Sequence, residues 1–384
     1  MLRNTMPNNK NINSGESALK HLFNQKLLRR ISSALHKVHP EIDQMHFNSL
    51  MPVLANLEMK PRVRFLRDEL KRQLPINFKK ALPILMKSIE KGNLTGFELW
   101  PYTEFIQTYG LDDVALSLEA LKKITPLFTS EWGVRPFIIS HPRKTMPFLL
   151  KCADDSNEHI RRWASEGSRP RLPWGERLKD FIIDPSPTRA ILEKLKFDPE
   201  LYVRKSVANH LNDIAKDHPE LVIQMLKIWQ VQAGNLHAKK VEWTIHRALR
   251  TLIKKGHPGA LAVIGVSTHS QIKRPKLIIK ADQLKMGQRL DFEFKISSTS
   301  SRAQKIVVDY IIHFAKANKR LSSKVFKLKT FDLPAMKTFP ISKRHSIQKM
   351  TTRKYYSGRH WIEIQINGKS YGKKHTYALD ASCG

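Results

Sequence analysis

The amino-acid sequence predicts a mainly α protein, a HEAT-like α-solenoid followed by a small β-sandwich. Three observations carry that prediction. From about residue 16 to 267, apolar residues recur three and four apart, the spacing of amphipathic helices. A stretch inside this region recurs at an offset of 43 residues. From about 268 to 384 the spacing changes to alternation with period two, the mark of strands.

Residues 1–15, rich in Asn and Ser with little to bury, read as a mobile leader. Segments such as ALKHLFNQKLLRRISSAL and VALSLEALKKITPLF then give paired helices separated by short breaks with Pro or Gly. DSNEHIRRWASE (155–166) lies over DPELYVRKSVAN (198–209), matching Asp155, Ile160, Arg161, Arg162 and Ser165 with Asp198, Val203, Arg204, Lys205 and Ala208. A period of about 40–47 residues is that of HEAT-type helix pairs, whose stacking creates a concave wall. In the last region LDFEFKI, IVVDYII and WIEIQI read as strands, and Asn367-Gly368 is a hairpin turn signal.

The formal net charge is +33, from 67 Lys and Arg against 34 Asp and Glu, which points to a polyanionic partner, nucleic acid before membrane. Residues 268–384 hold 25 of the basic and 7 of the acidic residues, so more than half of the excess lies in the β-region. That concentration reads as an auxiliary nucleic-acid clamp. No run of about 18 apolar residues could span a bilayer, and the polar start lacks a secretory signal, so a cytoplasmic protein associated with the nucleoid is expected. Cys152 and Cys383 are too few for a disulfide framework or a cysteine-built zinc site, and no metal is expected.

One stretch, RRWASEGSRPRLPW (161–174), sets Glu166 among Arg161, Arg162, Arg169 and Arg171 and between Trp163 and Trp174. Together with TSEWGVRPF (129–137) and VRKSVANHLNDIAKDHPELV (203–222), it resembles the DNA alkylation-repair glycosylases of the AlkC and AlkD type, most closely the AlkC branch. The resemblance is strong over about residues 95–230 and extends to the remainder in organisation. It implies an immunoglobulin-like C-terminal domain and a monofunctional glycosylase, acting as a monomer without cofactor on alkylated duplex DNA. The cationic bases removed would be 3-methyladenine chiefly, and 3-methylcytosine, with the lesion processed while stacked rather than flipped. Glu166, Asp213 and Glu131 match the branch's acidic active-site positions and Trp174 its active-site tryptophan. Trp132 departs from the Phe that relatives often carry after the glutamate.

The residues themselves agree with that chemistry. Losing a base from deoxyribose develops positive charge on the sugar, which a nearby carboxylate stabilises while orienting or deprotonating water. In the repeat alignment Glu166 falls on Asn209, and Asp213 lies one helical turn beyond, so both acids are expected to project from equivalent helices. Arg161, Arg162, Arg204 and Lys205, at the starts of those helices, and Arg169 and Arg171, flanking Pro170, are suited to phosphates. Eight phosphate contacts would give a log-affinity against log-salt slope of about −7.

Plainer roles remain open from the sequence. Glu166 has Arg162 four residues before it, Asp213 fits a surface helix, and Glu131 fits a cap in a helix begun by Thr129 or Ser130. Trp163 suits a core, Trp174 a place between repeats, and some arginines pairs with Asp155 and Asp198. The competing functional reading is a non-catalytic HEAT-repeat scaffold that only holds nucleic acid.

Overall fold

The computed structural model describes residues 19–318, 320–350 and 353–382; the leader assigned to 1–15 and Cys383 lie outside them. The chain divides into two compact units, Met1–Asp217 and His218–Gly384.

The first unit is helical. Its helices are Gln25–His36 (α1), Gln44–Ser49 (α2), Met51–Ala55 (α3), Met59–Gln73 (α4), Phe78–Gly92 (α5), Trp100–Tyr109 (α6) and Val114–Ile124 (α7). Arg135–Ser140 (α8), Pro142–Cys152 (α9), Glu158–Gly167 (α10), Lys179–Ile183 (α11), Arg189–Leu195 (α12) and Leu201–Ile214 (α13) follow. Several begin where the sequence supplies a local acceptor or an imino acid. Asn24, Asp43, Asn77 and Asn157 accept hydrogen bonds from the first turns of α1, α2, α5 and α10, and Pro101 and Pro142 stand in the first turns of α6 and α9. The apolar stripe of each helix is its buried face, as with Leu27, Leu28, Ile31, Ala34 and Leu35 of α1.

The repeat is real in three dimensions. Helices α10 and α13 pack side by side and bury Ile160, Trp163 and Ala164 against Val203, Val207 and Leu211. Asp155 and Asp198 accept from the backbone N–H two residues on, at 2.9 and 2.8 Å. Arg161 donates to the carbonyls of Asp155 and Ser156, and Arg204, 43 residues later, to those of Asp198 and Pro199. The same arginine thus fastens the same turn to its own helix in successive repeats.

The second unit opens with Pro219–Ala248 (α14), two helical limbs that meet at Gly234, whose φ of 49° and ψ of −156° fit only glycine. Arg250–Lys254 (α15) and Pro258–Val263 (α16) follow. The sandwich consists of Ile278–Ile279 (β1), Gln283–Lys285 (β2), Arg289–Ser297 (β3), Gln304–Ala315 (β4), Leu321–Leu333 (β5), Thr338–Ser346 (β6), Gly358–Ile366 (β7) and Lys369–Asp380 (β8). One sheet has the order β1-β3-β6 and the other β2-β8-β7-β4-β5. Leu290, Phe292, Phe294 and Ile296 of the first meet Ile306, Val308, Tyr310 and Ile312 of the second in a shared core. Asn367 and Gly368, at φ 48° and 79°, form the hairpin turn between β7 and β8.

The first strand begins at Ile278, whereas the compact unit that holds the sandwich already begins at His218. The reason is that helix covers the sheet's outer face. Gln365 Nε2 donates to Lys254 O at 3.0 Å, and a Cβ added to Gly368 would lie 2.0 Å from Gly256 Cα. Strand β4 is therefore buried on both faces, and Asp309 is enclosed. Burial pushes its carboxyl up to about 6 against the opposing pull of Lys254 and Lys327.

Candidate active site

Three carboxylates come together on two guanidinium groups, that of Arg169 buried and that of Arg162 partly buried. Glu166 projects from the last turn of α10, Asp213 from the last turn of α13, and Glu131 from the turn before α8; all three are buried. The packing of α10 on α13 brings the first two together, and the bridge is Arg169. Its Nη1 lies 2.5 Å from Glu166 Oε1, its Nε 2.9 Å and its Nη2 2.8 Å from Asp213 Oδ2. Arg162 links the third, with Nη1 2.5 Å from Glu131 Oε2 and Nη2 3.7 Å from Glu166 Oε1. Thr129 donates its hydroxyl to Glu131 Oε2 at 2.7 Å and accepts from Arg162 at 3.0 Å. Lys216 holds Asp213 Oδ1 at 2.9 Å.

Burial works to lower the basicity of both arginines, yet each is held above its ordinary value. For Arg162 the opposing attraction comes from Glu131 and Glu166, for Arg169 from Glu166 and Asp213. Close approach needs a residue without a side chain at the end of α10, since a Cβ on Gly167 would sit 2.6 Å from Val134 Cγ1.

Beside this centre stands an aromatic stack. Trp100 lies between Trp132 (centroids 4.8 Å apart, planes 22° apart) and Trp174 (6.2 Å, 15°). Trp174 is 38% exposed and has a φ of +63°, a left-handed conformation that costs a non-glycine residue about 1–2 kcal/mol. Its loop is held open by donors to carbonyls: Lys60 to Trp174 O and Trp132 Nε1 to Pro173 O at 3.1 Å. Arg135, at the start of α8, donates to the carbonyls of Gly167, Arg169 and Glu176. Tyr202, also 38% exposed, has the Arg162 guanidinium 5.2 Å from its ring.

The four predicted acid and indole positions are thus in one neighbourhood. The arginines divide differently from the phosphate assignment. Arg162 and Arg169 belong to the buried cluster, Arg161 pairs in a fork with Asp198, Arg171 with Asp217, and Arg204 holds its own turn. Each has a negative or carbonyl partner close by, and burial makes that pairing obligatory for the first two. Only Lys205 of the six stands exposed with no ion pair among the described residues. Trp163 is a core residue, fully enclosed. The sequence assigned no role to Trp100, Tyr202, Lys60 or Arg135; Arg135 lies within the quoted TSEWGVRPF and Tyr202 within DPELYVRKSVAN, while Trp100 and Lys60 reach the site only through the fold. Among the described residues no group of three or more His, Cys, Asp or Glu could hold a metal ion, and no helix is long and apolar enough to cross a membrane.

His210, one turn before Asp213 and fully enclosed, bonds Ser165 O through Nδ1 at 2.9 Å. Burial, then the charge of Arg169, pushes its imidazole down to about 3. A base whose folded value is depressed leaves the unfolded chain binding more protons, so the stability it permits is complete above pH 6.5 and is lost as the pH falls towards 3. Between pH 6.5 and 5.5 the wild type should lose about 1 kcal/mol more than His210→Asn in urea unfolding, and equal losses would contradict the burial of a neutral imidazole.

A stack of helix pairs that encloses a carboxylate–guanidinium cluster, followed by an immunoglobulin-like sandwich, defines the class to which this chain belongs. The family model described as "Uncharacterised protein YhaZ, C-terminal Ig-like domain" matches residues 273–379. Protein YhaZ of Bacillus subtilis (strain 168) is 36% identical over 353 residues, 91% of this chain and 96% of YhaZ. The solved structure of Pseudomonas fluorescens alkylpurine DNA glycosylase AlkC, bound to DNA containing an abasic site analogue, matches with a TM-score of 0.87 at 37% identity. That match covers 94% of this chain and 99% of the AlkC chain. The chain belongs to the AlkC-type glycosylase family, together with YhaZ.

Proposed function

We propose that this protein is a monofunctional DNA N-glycosylase that acts as a monomer on alkylated duplex DNA, excising cationic bases, 3-methyladenine first and 3-methylcytosine second. The observation that carries the reading is the convergence of Glu131, Glu166 and Asp213 on Arg162 and Arg169 beside the exposed Trp174. A 3-methylated adenine already carries a positive charge. When its bond to C1′ breaks, the electron pair leaves with the base and neutralises it, and the charge passes to the sugar. Carboxylates fixed by these arginines cannot reorganise, so they favour the cationic sugar without delay. Glu166 meets both arginines through Oε1, which leaves Oε2 to face the sugar or the incoming water. Water adds at C1′ and gives up its proton to that carboxylate, leaving an abasic site and a free base.

The exposed indole of Trp174 packs against the sugar or backbone, where a π-face suits a developing cation. Because recognition rests on charge rather than on an enclosing pocket, the lesion reacts without being flipped. No amine nucleophile is needed, since none of the matched site positions is a lysine.

The test is chromatography of bases released from methylated genomic DNA. Release of 3-methyladenine is expected; no release at any enzyme concentration would leave a nucleic-acid-binding scaffold. Duplex affinity should fall with salt at a log–log slope of about −7, and Lys205→Ala should reduce that slope by about 0.9. An unchanged slope would remove Lys205 from the phosphate contacts.

A further inference from the structure

We propose that Arg135 is a positioning residue for base release: it closes Gly167–Glu176, the segment that carries both Arg169 and Trp174, into the single arrangement that presents the carboxylates and the exposed indole to one substrate. The inference rests on the glycosylase reading.

Arg135 is 1% exposed, and its bonds join both ends of the segment. Nη1 donates to Gly167 O at 2.8 Å and Arg169 O at 2.9 Å, at the start; Nε donates to Glu176 O at 2.6 Å, at the end. Its stem backs the return of the chain, since a Cβ on Gly175 would lie 3.1 Å from Arg135 Cδ and Nε. Arg161, Arg162, Arg169 and Arg171 each meet a carboxylate; Arg135 meets carbonyl oxygens. A cation buried on carbonyls with no carboxylate in contact is a costly device, for the more distant attraction of Glu176, Asp213 and Glu131 falls short of offsetting desolvation. Burial and the neighbouring Arg169 accordingly depress its basicity to about 10. What a guanidinium adds over an aliphatic side chain here is geometry, because its planar fork holds several acceptors at fixed spacing.

The segment needs such a fastening. Trp174 sits at a positive φ that relaxation would relieve, turning the indole away from Trp100. Arg169 must span Glu166 and Asp213 at once, so a small drift of its backbone breaks one of the two contacts. Lys60 and Trp132 hold only the middle of the segment, at Trp174 O and Pro173 O. Arg135 alone among these donors ties its beginning to its end.

The experiment compares the wild type with Arg135→Lys, Arg135→Met and Lys60→Met. Three quantities are read: the single-turnover rate of 3-methyladenine release at saturating enzyme, affinity for an abasic-site duplex, and hydrogen exchange along the chain. Arg135→Lys keeps the charge and loses the fork. It is expected to lower the saturated rate at least tenfold, leave affinity within about threefold, and raise exchange in 167–178 alone. Arg135→Met should be slower still. If it fails to fold, the lysine variant and Lys60→Met, which frees only the middle and should lose less rate, decide the matter. A folded Arg135→Lys protein with an unchanged rate would overturn the proposal, as would rate and affinity falling in step with exchange rising throughout the first unit. Absence of base release by the wild type would defeat the glycosylase reading instead, while the exchange pattern would still report on the clamp.

Discussion

Glu166→Gln is expected to release 3-methyladenine about 10²–10³-fold more slowly under single-turnover conditions while binding an abasic-site duplex within about threefold of the wild type. The amide retains the size of the carboxylate and an acceptor for Arg169, so the cluster keeps its shape. What changes is charge. A unit charge roughly 5 Å from the reacting sugar, at an effective dielectric of about 20, contributes about 3 kcal/mol, and about 1.4 kcal/mol is a factor of ten in rate. The substitution also leaves Arg169 less fully compensated, which opposes the cationic state further. Asp213→Asn should behave alike with a smaller loss, because both of its oxygens are engaged, Oδ2 by Arg169 and Oδ1 by Lys216. Normal rates in both variants would remove the carboxylates from the chemistry.

Arg169→Met should unfold the first unit about 3–5 kcal/mol more readily in denaturant. The substitution leaves Glu166 and Asp213, 6% and 2% exposed, facing each other without the cation between them. Arg162 and Lys216 still reach Glu166 and Asp213, but neither stands between them, so the two buried carboxylates repel each other across the gap. A second substitution, Glu166→Gln, removes one of the charges and should recover part of the loss, giving a coupling well beyond additivity. A destabilisation below about 1 kcal/mol, or strict additivity, would show that the three groups do not form one enclosed network. The comparison also separates the two roles of the cluster, since the double variant regains stability without regaining base release.

Much of this site was legible before any coordinates. The alternation of LDFEFKI survives as β3, and Asn367-Gly368 as the turn between β7 and β8. The offset of 43 residues survives as paired turns fastened by Arg161 and Arg204, and as the contact of α10 with α13. Glu166 and Asp213 come together because Asp213 lies one turn beyond Asn209, the position equivalent to Glu166 in the neighbouring repeat, and equivalent helices lie side by side. The uses of the arginines were not legible in the same way. A basic residue next to an acid in sequence reads equally as a phosphate ligand and as an ion-pair partner, and only burial separates the two. Trp100 and Lys60 had no local signal, for they meet Trp174 from helices far away along the chain.

By itself the sequence determined the elements, their repeat and the chemical types gathered at the site, because helix and strand periodicities and a fixed repeat length are local properties of the chain. Tertiary structure alone decided which guanidinium groups are enclosed with the carboxylates, which indole is left exposed, and which sheet face is covered. Those outcomes depend on desolvation, and whether a side chain loses its water is settled by elements remote from it in sequence.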